Sequence, residues 1–444
     1  MTHPREVCSP APRRLVDTFS ANNGLDARDR GLVRTLVGTE IRRRATLRAI
    51  VGRFTKAKPS ADLATLLRLG ITQLLFLDRI PPHAALSETV IVVRDVCGLA
   101  KGRVANAVLR EVQRAARLET SGDARHDLIG RPWTFRQAIF RDPEEHPFLW
   151  AEDALSMPSA IVKRWAARHG NEQAFQLADL ALREPLLSLR VVRGEREALL
   201  DTFAEAGARP GNLPSNILLP ANAGEAVFSS TAFTEGHIAV QGSAAIAAAE
   251  LMQAQAGERI LDLCAAPGGK SMLLAGTGAH VTACDKNPRR LAGMAREIER
   301  LRPEGSVTPL ASDSTHGLNP SATFDGVLVD APCSNTGVLA ARPGARWRFG
   351  PKDLRDLVAL GSQLLDDAAE RVRPGGRLVH STCSLEPEEN AQQVRAFLER
   401  HPGWTIEAEH ERLPVSGPIL EGDDQPAPGP TDGGYAARLR RPTS

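Results

Sequence analysis

The feature that most constrains this chain begins at residue 236, where short apolar runs alternate with segments of helical periodicity. The apolar runs predict strands at residues 259–263, 280–284, 307–310, 325–330, 377–382 and 435–440. The segments between them predict helices at residues 243–255, 270–276, 288–301, 353–373 and 388–400. Such alternation is typical of a doubly wound, mostly parallel sheet, for which we expect the strand order 3-2-1-4-5. In such sheets ligands bind beyond the carboxyl ends of the strands.

The first half of the chain has a different texture. Apolar residues at helical spacing between residues 12 and 117 predict a compact bundle of five or so helices. Residues 118–150 combine scattered aromatic side chains with many charges, which favours an ordered connector over a free linker. Residues 185–235 predict a small α+β module with strands at 187–191, 217–219 and 226–228 and a helix at 195–207.

We therefore expect a multidomain protein, as its 444 residues also predict. The expected domains are an all-α bundle at residues 1–140, a connector with a small α+β module at 141–235, and a Rossmann-like α/β domain at 236–444. The sequence has no run of about 18 apolar residues and no N-terminal apolar segment, so we expect neither a membrane span nor a secretory signal. None of the six cysteines forms a C-x-x-C pair, so we expect no metal site, no disulfide scaffold and a reducing cytoplasm.

The net charge of +2 hides an uneven distribution. Residues 1–120 hold about 21 Lys and Arg against about 11 Asp and Glu, so the remainder is net acidic. A basic N-terminal third is typical of a module that faces nucleic acid. Solvation of helical faces by arginine explains the same charges equally well, and both interpretations stay open on charge alone.

A turn of small residues, Cys264 to Ser271, follows the first strand of the predicted sheet. It is not a P-loop, because Cys264 stands where that motif requires glycine, and the G-x-G-x-x-G pattern also fails. Its small residues still let backbone N–H groups approach a polar ligand, although a tight turn without a ligand is the alternative. Asp285 follows the second strand, where it could hold ribose hydroxyls or cap a helix. Asp313 follows the third strand and could reach an adenine edge.

Two cysteines follow the fourth and fifth strands of the predicted sheet. Cys333 comes three residues after Asp330, and Cys383 closes the run that ends at Thr382. Because these strands are neighbours in the expected order, both thiols should face one pocket. A thiolate is a strong nucleophile. Lone buried cysteines are usually structural, which is the interpretation we give to Cys8, Cys97 and Cys284.

Two thiols, a carboxylate and a nucleotide-type cofactor suit one reaction class. Carbon 5 of cytosine is a poor nucleophile, but addition of a thiolate to carbon 6 converts the ring to an enamine. Carbon 5 can then attack a methyl sulfonium, a base removes its proton, and the thiolate is expelled. Asp330 could hold the pyrimidine edge and balance the developing charge, and the two cysteines could divide attack and release.

Three blocks, at residues 264–271, 330–337 and 381–390, resemble the Nop/Sun family of RNA cytosine-C5 methyltransferases. Residues 67–85 and 106–110 resemble the NusB-like RNA-binding bundle. The resemblance covers most of the chain and implies a NusB-like bundle ahead of a Rossmann-like domain that uses S-adenosylmethionine. In that family the cofactor would be cradled by Cys264, Ala265, Ala266, Pro267, Gly268, Gly269 and Lys270. Asp285 would hold its ribose and Asp313 its adenine side.

The resemblance also implies the roles at the reacting end of the site. Asp330 would hold the methionine side of the cofactor and the target base, and Lys270 would orient Asp330 or the base. Cys383 would be the nucleophile, and Cys333 would assist product release. DNA cytosine methyltransferases instead use a Pro-Cys cysteine like Cys333, so this assignment rests on the resemblance and not on spacing.

The expected function is S-adenosylmethionine-dependent methylation of carbon 5 of a cytosine in small-subunit (16S) ribosomal RNA by a monomer, through a covalent cysteine adduct. The alternatives are the same chemistry on transfer RNA, an RNA-binding factor with an inactive methyltransferase domain, and a small-molecule methyltransferase, which would not need the basic bundle. Three positions depart from the family pattern. His380 stands where an aromatic residue is common, Gly434-Tyr435 where adjacent phenylalanines are common, and Gly242 where an acidic residue is usual.

Overall fold

The computed structural model describes residues 12–312, 315, 317–417 and 429–443. Their contacts divide the chain into two compact units, one ending at Leu182 and the other beginning at Arg183. The expected domain limits at residues 140 and 235 stay predictions. No helix among the described residues is long and apolar enough to cross a membrane.

The first unit begins with the expected helical bundle. Its helices are α1 (Pro12–Asn22), α2 (Ala27–Phe54), α3 (Ala61–Phe76), α4 (Pro82–Cys97) and α5 (Leu99–Ala115). Asp26 caps α2 by accepting a hydrogen bond from the Asp29 N–H, and Gly98, at φ +89°, separates α4 from α5. The apolar stripes meet in a core in which Leu47, Leu67 and Leu109 are fully buried. The prediction of an all-α N-terminal bundle is therefore confirmed.

The aromatic connector packs onto this bundle. It contains β2 (Thr134–Phe135), which pairs with β1 (Ala116–Arg117) just before it, and the first turn of α6 (Pro147–Ala154). Two further helices, α7 (Ser159–His169) and α8 (Asn171–Leu180), complete the first unit. Phe135 and Phe140 are buried in the bundle core, and Trp133 and Trp150 pack against it half-buried. Burial of these rings explains why a segment so rich in charges is ordered.

The second unit starts with a small α+β module. Its elements are β3 (Leu187–Val191), α9 (Arg196–Thr202), β4 (Arg209–Pro210), β5 (Asn216–Leu219), α10 (Gly224–Phe228), α11 (Thr231–Thr234) and β6 (Ile238–Val240). The four strands form an antiparallel sheet in the order β4-β5-β3-β6. The strand predicted at 226–228 is wrong, because this segment lies in α10, with Val227 buried in the module's core. A three-residue apolar run has no period that separates a strand from a short helix.

The rest of the chain forms a seven-stranded sheet with helices on both faces. Its strands are β7 (Arg259–Leu263), β8 (His280–Asp285), β9 (Ser306–Ala311), β10 (Phe324–Asp330), β11 (Val372–Thr382), β12 (Thr405–Arg412) and β13 (Gly434–Arg440). Its helices are α12 (Ser243–Glu250), α13 (Gly269–Ala275), α14 (Pro288–Leu301), α15 (Pro351–Arg371) and α16 (Ala391–Arg400). The strand order is β12-β13-β11-β10-β7-β8-β9.

The predicted Rossmann-like arrangement is confirmed by this order. The first five strands are parallel and lie as 3-2-1-4-5, whereas β13 runs antiparallel to β11 and β12 antiparallel to β13. The apolar residues of β7 and β10 are buried on both faces of the sheet, as parallel strands covered by helices require. The carboxyl ends of β7, β10 and β11 therefore open side by side at one edge.

Candidate active site

The turn after β7 is tight and consists mostly of small residues. Cys264 lies at φ +63° and Gly268 at φ +105°, a backbone region that favours glycine. A Cβ on Gly268 would come within 2.8 Å of the Met294 side chain, so glycine is required there for space as well. Burial raises the pKa of the Cys264 thiol to about 12, which makes this cysteine a packing residue and not a nucleophile.

A cavity of about 530 Å³ opens between this turn and the ends of β10 and β11. This volume is in the range of small-molecule sites. Most of the predicted site residues line it: Cys264, Ala265, Ala266, Pro267, Gly269, Lys270, Asp330, Cys333 and Cys383. Gly268 shapes the turn behind the wall and does not line the cavity.

The two thiols lie together inside this cavity. Cys333 Sγ is 3.3 Å from Cys383 Sγ, within hydrogen-bonding distance for sulfur. The hydrogen bond from Cys333 lowers the pKa of the Cys383 thiol in spite of burial. The same hydrogen bond, together with burial, raises the pKa of Cys333 well above its usual range. The pair therefore favours a thiolate at Cys383 with Cys333 as its donor.

A lysine and a carboxylate form an ion pair beside the thiols. Lys270 Nζ lies 2.7 Å from Asp330 Oδ2, and the Ser381 hydroxyl donates to Asp330 Oδ1 at 3.0 Å. Burial lowers the pKa of Lys270, but the charge of Asp330 and its hydrogen bond raise it more, so the net pKa is raised. Lys270 stays protonated and fixes one oxygen of Asp330.

Asp285 lies one strand away, at the end of β8. Its carboxylate is almost fully buried, accepts hydrogen bonds from the Ala266 and Asn287 N–H groups at 3.2 and 2.8 Å, and forms an ion pair with Arg290 at 2.9 Å. It lines a smaller pocket of about 80 Å³ in which apolar side chains alternate with polar and charged ones, among them Lys286, Arg290 and Ser312. Asp313 lies outside the described residues.

Comparison with known proteins identifies the family. The model of the 16S rRNA methyltransferase RsmB/F family matches residues 249–440, and the NusB family model matches residues 11–114. Ribosomal RNA small subunit methyltransferase B of Klebsiella pneumoniae (strain 342) is 31% identical over 388 residues, which is 85% of this chain and 81% of that protein. The chain belongs to the RsmB/F family.

Solved structures share the fold of this RsmB/F chain. The crystal structure of PH0851 aligns with 96% of this chain and 93% of its own length, at a TM-score of 0.68 and 22% identity. NSun6 from Pyrococcus horikoshii, solved with SFG, aligns with 65% of this chain and 98% of its own length, at a TM-score of 0.51 and 20% identity. As an RsmB/F member the chain is an RNA methyltransferase that uses S-adenosylmethionine.

The cavity of this RsmB/F chain fits that cofactor by its chemistry. The small Ala and Gly residues of the turn leave its backbone accessible from the cavity, so a polar ligand can approach the backbone closely. Asp285 lies outside this cavity, in the smaller pocket that shares Cys264 with it, and its buried carboxylate is an acceptor of the kind that ribose hydroxyls take. The cavity that begins at this turn continues to both thiols, so a cofactor and a base can share it.

Several residues near the two thiols of this RsmB/F chain could not be singled out as site residues from the sequence. Glu389 accepts two hydrogen bonds from Ser334, from its N–H at 2.8 Å and its hydroxyl at 2.6 Å. Asn335 contacts both cysteines, and Arg342 contacts Asn335. Asn335 and Glu389 lie inside the blocks that carry the family resemblance, whereas Arg342 lies in an irregular segment that no pattern marks.

The departures from the family pattern also have structural counterparts. A Cβ at Gly242 would lie 2.1 Å from Asp432 Oδ2, so the Asp432 carboxylate occupies the space of a side chain at position 242. His380 is fully buried, with its Nε2 2.9 Å from the Glu389 carbonyl oxygen and its ring 6.1 Å from that of Tyr435. Burial lowers the pKa of His380, so this imidazole packs as a neutral ring.

Proposed function

We propose that this enzyme methylates carbon 5 of a cytosine in 16S ribosomal RNA through a covalent bond between Cys383 and carbon 6 of the base. The single observation that carries the proposal is the pair of thiols 3.3 Å apart in the cavity that begins at the cofactor turn. A methyltransferase that acts on a nitrogen or an oxygen has no need of a thiol nucleophile, still less of two.

The residues divide the chemistry as follows. The Cys383 thiolate adds to carbon 6, and the electron pair of the 5,6 double bond moves to carbon 5. Asp330, held by Lys270 and Ser381, faces the cavity where it can accept hydrogen bonds from the amino edge of cytosine. Residues 264–270 and Asp285 would hold S-adenosylmethionine, which would supply an electrophilic methyl group to carbon 5 and leave as S-adenosylhomocysteine. A base then removes the carbon 5 proton, the 5,6 double bond re-forms and the carbon 6–sulfur bond breaks, so that Cys383 leaves as a thiolate with Cys333 assisting that release.

The target base must leave its stack to reach these thiols, because attack on carbon 6 comes from above the ring plane. We propose that the basic first unit supplies affinity for the RNA backbone, that the protein acts as a monomer, and that it works in the cytoplasm. The Asp313 side chain remains our candidate for the adenine side of the cofactor.

Sequencing tests the substrate. Bisulfite sequencing of 16S ribosomal RNA from cells lacking this protein should show one 5-methylcytosine lost and then restored by the wild-type gene. Methylation assays on isolated small-subunit RNA and on transfer RNA are the in vitro counterpart. Methyl transfer to transfer RNA alone would replace the ribosomal target, and transfer to neither RNA would overturn the proposal.

Two cysteine variants test the thiol roles. Cys383→Ala should abolish methyl transfer, because the pair favours the thiolate at Cys383 and keeps Cys333 protonated as its donor. Cys333→Ala should still form the covalent bond but release it slowly, so that an RNA adduct accumulates on a denaturing gel. An adduct trapped by Cys383→Ala instead would reverse the two roles.

A further inference from the structure

We propose that Arg342 is a positioning residue that the Asn335 amide oxygen holds beside Cys383, where its positive charge favours the nucleophilic form of the sulfur. The inference rests on the proposed function in one respect, the assignment of Cys383 as the nucleophile. It names a source of thiol activation outside the Cys383–Cys333 and Lys270–Asp330 pairs.

One oxygen atom joins the two groups. The Arg342 guanidinium donates a hydrogen bond through Nη1 to Asn335 Oδ1, and the Cys383 thiol lies 3.4 Å from the same oxygen. The guanidinium nitrogen and the sulfur are therefore within about 6 Å of each other, a separation at which an opposite charge alters thiol ionisation. Arg342 and Asn335 both line the cavity that contains the thiols.

Asn335 is held in a defined orientation by its own backbone and its amide group. It lies at φ +61°, in the left-handed region that asparagine tolerates better than most residues. Its Nδ2 donates to the Cys333 carbonyl oxygen at 2.6 Å. Because the amide nitrogen has this acceptor and the amide oxygen has the Arg342 donor, the hydrogen bonds fix which way the amide faces. The oxygen is the atom left for Cys383.

The charges that face Cys383 come from three segments. The hydrogen bond from Cys333 lowers the pKa of Cys383 most, burial raises it, Arg342 lowers it, Asp330 raises it and Lys270 lowers it. Lys270 and Asp330 are paired at 2.7 Å, so their opposite effects on the sulfur largely offset each other. Arg342 is then the cation whose effect remains. Glu389 acts on Cys333, and Asp432 faces Arg342 from the segment before β13.

Two features limit the size of the effect. Arg342 is exposed, so solvent screens part of its charge. An amide oxygen alone would favour the protonated thiol, and Arg342 counters this by donating to the same oxygen. We therefore expect a shift in thiol reactivity when Arg342 is neutralised, and not its loss.

Alkylation of Cys383 by iodoacetamide tests the proposal in the full-length protein without RNA. Peptide mass spectrometry follows the rate at Cys383 from about pH 5 to about pH 9, which reports the thiolate fraction. With Arg342→Gln we expect the profile to move to higher pH, with alkylation ~3-fold or more slower at neutral pH. Arg342→Lys keeps the charge and should restore most of the rate. Arg342→Met, which keeps the apolar stem, repeats the test if the Gln variant is unstable.

A matched control is Arg348→Gln, the same charge change at an exposed position that does not line the cavity. Its alkylation profile should equal that of the wild type. In methyl transfer, Arg342→Gln should lower kcat at neutral pH and leave KM for RNA unchanged. The kcat of the variant should recover as pH rises. An unchanged alkylation profile in Arg342→Gln would overturn the proposal. A higher KM for RNA together with that unchanged profile would make Arg342 an RNA contact instead. Because alkylation needs no RNA, a failure of the proposed substrate leaves this result readable.

Discussion

Asp262 shows how one buried carboxyl group can shape the pH response of the whole protein. It lies fully buried near the carboxyl end of β7, where its Oδ2 accepts a hydrogen bond from Ser271 at 2.5 Å and its Oδ1 has no hydrogen-bond partner. Burial raises its pKa from 3.8 to about 7. The strand that orients the cofactor turn thus carries a carboxyl group that holds its proton through the acidic range.

The sign of its effect on stability follows from linkage. The unfolded chain releases the Asp262 proton near pH 3.8, but the folded chain keeps it until about pH 7. The stabilisation is complete below the lower value and is lost as pH rises to the upper one, about 4 kcal/mol in all. Asp262→Asn should remove this decline, so the Tm difference between variant and wild type should change in the variant's favour from pH 5 to pH 8. Parallel Tm curves would show that Asp262 is ionised in the folded protein.

At the scale of elements, the site depends on two loops that bind each other after β10 and β11. Glu389, in the loop that contains Cys383, accepts hydrogen bonds from both the N–H and the hydroxyl of Ser334, the residue next to Cys333. Asn390 holds the loop after β11 together: it accepts a hydrogen bond from the Thr382 hydroxyl at 2.5 Å and donates one to the Ser384 carbonyl oxygen at 2.9 Å. Each loop thereby sets the position of the other loop's cysteine.

Glu389→Gln tests this connection. A glutamine amide has one acceptor oxygen, so the Ser334 hydroxyl would face an NH₂ group and lose the charge-assisted bond that it donates to the Glu389 carboxylate. We expect the free energy of unfolding to fall by about 1–2 kcal/mol. On the proposed role of Cys333 in release, a displaced Cys333 should release product slowly, so we also expect more covalent RNA adduct at steady state. Glu399→Gln, at an exposed position on α16, should change neither quantity.

Predictability differed between elements for physical reasons. The parallel strands are continuous apolar runs, and β7 occupies the predicted residues 259–263. The edge strand β12 was missed because its sequence alternates charges with few apolar residues, as an exposed sheet edge favours. The site residues at strand ends could be predicted because parallel strands bring their carboxyl ends together. Arg342 and Glu389 could not, because their partners are set by how loops fold back and not by any period in the sequence.

At the scale of the whole molecule, charge distribution is the property that bears on RNA binding. On α5, Arg103, Arg110 and Arg114 are spaced seven and four residues apart and are all exposed, so they share one face of the helix. A row of exposed arginines spaced in this way suits a phosphate backbone.

Neutralising this row gives a prediction about salt. Replacing all three arginines by Gln should weaken RNA binding and reduce the slope of log Kd against log salt by about 2, since each phosphate contact to a single strand contributes about 0.7. Fluorescence anisotropy at several salt concentrations measures the slope. The Tm should hardly change, because exposed side chains contribute little to stability. An unchanged slope would assign these arginines to helix solvation.

Two sulfur atoms 3.3 Å apart also expose the enzyme to oxidation. A disulfide bond is about 2.05 Å long, so a small side-chain movement would allow hydrogen peroxide to convert the two thiols to a disulfide and two molecules of water. Peroxide should then stop methylation, dithiothreitol should restore it, and mass spectrometry should find Cys333 linked to Cys383. The closeness that lets one sulfur activate the other thus ties the modification of RNA to the redox state of the enzyme's surroundings.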